Sequence, residues 1–175
     1  RQPGIVGLHA LTTANALHYA WSDCGEEQGR RLALLQACAF VPLFLGAAQE
    51  PRRGKVKDMT IDDLKPVELK ADAQPAAIEE IFADVSGNRM DAAGKILAWL
   101  EGKQAATDLI DAARRLIFLK GRDAHDYKFS SAVLEDYYHV SPEWRNQFMA
   151  TSVFNLRGSG ERDNGLVERT RAALA

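Results

Sequence analysis

The chain has 175 residues, 46% hydrophobic and 26% charged, enough for a sizeable core and ordinary for a soluble globular protein. Twenty-two basic and 24 acidic side chains give a formal net charge of -2, which argues against a dedicated nucleic-acid binder, whose surface needs a basic excess. Two cysteines, Cys24 and Cys38, lie outside any Cys-x-x-Cys spacing; they exclude a disulfide framework and suit buried or half-buried thiols in a reducing cytoplasm.

The first residue is Arg1, which fits removal of a leading segment or the C-terminal part of a longer protein. Residues 5–22 follow Pro3 and Gly4, stop before Gly25 and are rich in Ala and Leu, so they predict a helix. Its polar residues lie all round the axis, which predicts an internal position with satisfied hydrogen bonds. Residues 26–47 predict a second helix, opened by Glu26 and Glu27 and kinked or ended by Pro42. The apolar run Leu32 to Ala48 is 17 residues long and contains Gln36. A membrane span needs about 20 apolar residues, so the expectation is a buried core helix and no membrane partner.

Residues 48–73 lack periodicity and hold Pro51, Gly54, Pro66 and many charges, which predicts one long irregular connection. The basic cluster Pro51-Arg-Arg-Gly-Lys-Val-Lys57 within it reads as a solvated loop, and Thr60-Ile-Asp-Asp63 as a capping box opening a short helical turn. Helices are then predicted over 75–85, 89–101 and 104–119, the last ended by Lys120-Gly121. Asp123 restarts the chain as an N-cap for a helix reaching about residue 138. Ser141-Pro142-Glu143 opens another to about Leu156, stopped at Gly158-Ser-Gly160, and 165–174 form the last. No segment predicts a strand. The expected fold is all-α: a single helical domain over 1–175 with seven or eight helices.

The candidate chemistry rests on histidines. His9 and His18 are nine residues apart, which puts them on opposite faces of one helix, roughly 13 Å apart along its axis. His125 and His139 share a face but stand roughly 21 Å apart. A shared His-His site therefore needs the first helix and the helix beginning near 124. No His-x-x-x-His, Glu-x-x-His or His-Glu-x-x-His spacing occurs, nor a Walker A or Gly-x-Ser-x-Gly sequence. His125 has the richest setting, in a first helical turn beside Asp126 and three residues before Lys128. The helix dipole disfavours its cation and Asp126 favours it, a balance that suits proton transfer near neutral pH. The competing reading makes Asp126 a capping acid and His9, His18 and His125 structural, in a non-enzymatic interaction or regulatory domain.

The pattern His125-x-x-Lys128-Phe129-x-x-Ala132, with Gly7-Leu-His-Ala-Leu-Thr-Thr-Ala-Asn-Ala-Leu17, resembles the questin oxidase-like family. That resemblance covers about a third of the sequence. It implies a helical oxidoreductase with a small-molecule substrate and, by resemblance alone, a nicotinamide cofactor. On this reading His9, His18 and His125 would orient or protonate a substrate oxygen, or bind a metal or haem, and Lys128 would hold an anionic group.

Overall fold

The computed structural model of the protein describes residues 5–49 and 60–175. Among these it is all-helical: eight α-helices, one short 3-10 turn and no strand. Where the sequence suggests one domain over 1–175, the contacts mark two compact units, Arg1–Met59 and Thr60–Ala175.

The first unit is a pair of helices, α1 (Ile5–Asp23) and α2 (Glu27–Gln49), packed along one another across a short turn. Arg30 ties the turn, its Nε donating to the Cys24 carbonyl at 2.8 Å. The interior position expected for both helices is not found. Leu8 is the only buried residue of α1, and none of α2 is buried. Leu32, Leu34, Leu35, Val41, Leu43 and Leu45 are each more than half exposed. Apolar composition records that a helix avoids water and is silent on what covers it, so the expectation of a core helix fails here. The helix also runs on through Pro42 to Gln49. Among the described residues, α2 alone is long and apolar enough to cross a membrane, with mean hydropathy 1.7 over 18 residues. Both thiols are free, Cys24 half-buried and Cys38 exposed rather than buried.

The second unit opens with the 3-10 turn Ile61–Asp63, where the Thr60 N–H donates to the Asp63 carboxylate at 2.7 Å, as the capping-box pattern predicts. The irregular connection continues to residue 75, and the basic cluster 51–57 lies outside the described residues. Six helices follow: α3 (Ala76–Gly87), α4 (Arg89–Glu101), α5 (Ala106–Lys120), α6 (Ala124–Asp136), α7 (Pro142–Ser152) and α8 (Gly165–Leu174). Helix α4 is the centre. Asn88 caps its start by accepting from the Asp91 N–H, and eight of its 13 residues are buried, Ile96, Leu97 and Trp99 among them. It packs against α3 on one side and α7 on the other, while α5 packs on α3 and α6. The left-handed residue that ends α4 is Lys103 at φ 59°, not Gly102.

The Gly158-Ser-Gly160 loop does not stop α7, which already ends at Ser152, short of the expected Leu156. It lies on the end of α3, with the Ser159 N–H donating to the Phe82 carbonyl at 2.9 Å and the Gly160 N–H to Ser86 Oγ at 3.0 Å. A Cβ on Gly158 would come within 2.5 Å of the Ser86 nitrogen and 2.9 Å of the Phe82 carbonyl oxygen, both backbone atoms that cannot rotate away. Gly158→Ala is therefore expected to destabilise the protein by about 1–3 kcal/mol, read as a lower urea midpoint. An unchanged midpoint would mean that the loop does not hold α3 this closely.

Candidate functional site

The stretch from Lys120 to Phe129 is where α5 ends and α6 begins, and its local chemistry follows the sequence. Asp123 is the N-cap of α6, accepting from the His125 N–H at 2.8 Å and the Asp126 N–H at 3.2 Å. The Asp126 and His125 N–H groups hold its carboxyl below the usual carboxylate range. Gly121 stops α5 without a left-handed backbone, at φ -63°. It is needed for close approach: a Cβ there would meet the Ile117 carbonyl oxygen at 2.6 Å and the Tyr127 ring at 3.1 Å.

The tertiary partners were invisible in the sequence. Asp126 is not simply a capping acid beside His125. Its carboxylate receives Arg157 Nη2 on both oxygens, at 2.7 and 2.6 Å, and the Arg122 N–H at 2.8 Å. Arg157 also donates to Glu161 at 2.8 Å, and Glu161 in turn accepts from the Gly158 N–H at 3.1 Å. Burial opposes the charge of Arg157, but Asp126 and Glu161 more than offset it and raise its pKa. Close by, the buried Lys120 pairs with Asp163 at 3.1 Å and with the Glu161 carbonyl. Lys120 and Arg171 together hold Asp163 below the ordinary carboxylate range. Arg157 and Glu161 are four residues apart but lie in the loop between α7 and α8, so helical periodicity could not have found any part of this cluster.

The four expected site residues are divided between the units. His9 and His18 are on α1, His9 exposed and His18 half-buried with its ring stacked near Trp21 at 6.3 Å. His125 and Lys128 are on α6. The His125 side chain is 46% exposed, with Nδ1 3.7 Å from the Asp123 carboxylate. Lys128 is exposed, as is His139 beyond the end of α6. Among the described residues, no group of three or more His, Cys, Asp or Glu side chains is placed to hold a metal ion.

The concave feature at this junction has a different lining. A cavity of about 760 Å³ lies between the α5–α6 turn and the start of α8, walled by Gly121, Arg122, Tyr127, Arg162, Asn164 and Arg169, with Asp163 and Glu168 also present. None of the guanidiniums of Arg122, Arg162 and Arg169 pairs with a described carboxylate, whereas Lys95, Lys120, Arg157 and Arg171 all do. Asp163 is committed to Lys120 and Arg171, so the wall is cationic. The positive end of α8 adds to it; Asn164 caps this helix by accepting from the Leu166 and Val167 N–H groups at 3.1 and 3.0 Å. Tyr127 also lines a neighbouring cavity of about 600 Å³ whose wall is largely apolar, including Ile117, Phe118, Leu134 and Tyr138.

No family model matches this sequence, no curated protein matches it, and no solved structure matches it.

Proposed function

We propose that Thr60–Ala175 is a non-enzymatic, regulatory α-helical domain that binds a small organic anion. The observation that carries this reading is that Arg122, Arg162 and Arg169, all without a described carboxylate partner, line one cavity of ligand size. The ligand class is a carboxylate, sulfonate or phosphate ester with an apolar body. Its charged end meets the guanidiniums, and its body lies against Tyr127 towards the apolar neighbouring cavity. The proposed compartment of Thr60–Ala175 is the cytoplasm.

The test is a fluorescence titration with 8-anilinonaphthalene-1-sulfonate, an aromatic anion, competed with inorganic phosphate. Removing two guanidiniums in an Arg162→Ala, Arg169→Ala variant is expected to weaken the site by roughly tenfold or more. Equal titration curves for the variant and the wild type would sink the reading, because dye on any exposed apolar surface would not respond to these arginines.

A second reading is an oxidoreductase of the questin oxidase-like kind, and the sequence resemblance is what favours it. It would use His9, His18, His125 and Lys128, with a metal, haem or nicotinamide cofactor. Neither His125 nor Lys128 lines the arginine cavity. An absorption spectrum and metal analysis of the purified protein test it directly.

A further inference from the structure

We propose that the α1–α2 hairpin inserts into a lipid bilayer, with α2 as its spanning helix. The pattern of charge is the first argument. Residues 5–22 and 32–49 are two stretches of 18 without Asp, Glu, Lys or Arg, and between them Asp23, Glu26, Glu27, Arg30 and Arg31 crowd into nine residues. At about 1.5 Å per residue, α1 and α2 are roughly 28 and 34 Å long, against a hydrocarbon core of about 30 Å. The structure thus places two helices of bilayer length beside each other, with a charged turn at one end.

The distribution of apolar side chains decides between lipid and protein as the covering phase. At about 100° per residue, Leu32 and Leu43 lie on one side of α2, and Leu34, Val41 and Leu45 lie on roughly the opposite side. All five are exposed. A second copy of this protein, or one helix of another, would cover a single stripe. Acyl tails cover every side that α1 leaves open. Pro42 inside α2 fits the same setting, because proline is commoner in spanning helices than in soluble ones. Gln36, the one amide between Leu32 and Ala48, is about 6 Å past Leu32, near the charged end. On α1 the Thr12 hydroxyl is satisfied by the Leu8 carbonyl at 3.1 Å.

The flanks complete the assignment. Tyr19 and Trp21, 60% and 45% exposed, stand at the turn end of α1, where amphipathic aromatic rings settle at a headgroup interface. At the other end, Arg52, Arg53, Lys55 and Lys57 follow α2 in the sequence. The positive-inside bias puts that end, and the residues that follow it, on the cytoplasmic face.

The full-length protein should float with uncharged phosphatidylcholine vesicles and stay with them through high-salt and alkaline carbonate washes. A Leu34→Lys, Leu43→Lys variant places charges on opposite sides of α2 and should lose flotation by about tenfold or more. Its far-ultraviolet circular dichroism and cooperative urea transition should be retained, showing that the variant still folds. Three results would overturn the proposal: a wild-type protein that stays soluble as a monomer, one that sediments as a discrete dimer and ignores vesicles, or one that binds only acidic vesicles and is released by salt.

Discussion

Arg157→Ala is expected to lower the unfolding free energy of the protein by about 3–5 kcal/mol, the usual cost of removing one partner of a buried ion pair. The Arg157 side chain is 17% exposed and Asp126 12%, so water cannot replace what is lost. The substitution leaves Asp126 buried, with only the Arg122 N–H still shown donating to it. It also leaves Glu161 holding the Gly158 N–H without its neutralising partner. The damage falls where the start of α6 meets the loop after α7, since Arg157 links residues 31 apart in sequence. Urea unfolding of Arg157→Ala, Asp126→Ala and the double variant closes a double-mutant cycle. The double variant should be much less unstable than the sum of the singles, because it removes both charges together. A single-variant loss below about 1 kcal/mol would make the pair equivalent to a surface ion pair and would undo this account.

The same contact shows where sequence reasoning reaches its limit. The local chemistry was legible in part: Asp123 caps the helix it precedes, as expected, and the helices at 89–101 and 165–174 have the expected bounds, with Asn88 and Asn164 found as their caps. Those signals work because a cap bonds atoms two or three residues away. Asp126 carries the same signal, and its local role as an acceptor for the Arg122 N–H is real. Its stronger partner comes from beyond α7, and no spacing rule reports a contact across 31 residues. The expectation that Asp126 tunes His125 rested on adjacency in sequence, and side chains adjacent on a helix do not face each other.

Helix α2 exposes a different limit. Its composition predicts that water is excluded from it, and the structure leaves it uncovered within its own unit. A run of 17 apolar residues sits between the lengths typical of core helices and spanning helices, so length alone cannot choose. The arginine cavity failed to register for the opposite reason. Arg122, Arg162 and Arg169 are scattered in sequence and have no shared period; only the return of the backbone after α7 to the α5–α6 turn gathers them. That return is held by Asn164, whose N–H donates to the Leu119 carbonyl at 2.7 Å and whose side chain donates to the Phe118 carbonyl at 2.8 Å.

Lys95→Ala is expected to cost about 3–5 kcal/mol near neutral pH, and its effect should shrink in acid. Lys95 is buried on the central helix α4, with its amine 2.5 Å from both Glu80 and Asp84 of α3. Glu80 also accepts from the Lys70 and Ala71 N–H groups, at 3.0 and 3.1 Å, so the lysine anchors the acid that pins the irregular connection to the bundle. Alanine leaves the two carboxylates facing a hole. The bond from Lys95 is the largest cause holding Glu80 below the usual carboxylate range. A depressed carboxyl stabilises the fold fully above its unfolded pKa, about 4.3 for Glu, and loses that contribution as pH falls through the folded value. Burial disfavours the Lys95 charge, but the two acids outweigh it and raise its pKa, so its contribution is complete below an unfolded value of about 10.4 and fades above the folded one. Stability carried by the pair should therefore be level from about pH 5 to about pH 10 and fall on both sides. Asp123 and Asp163 titrate in both proteins and cancel in the difference. In urea unfolding at a series of pH values, the gap between wild type and Lys95→Ala should be widest on the plateau and should narrow below about pH 4. A gap that stays constant into acid would mean that the loss comes from the missing lysine stem and not from its charge.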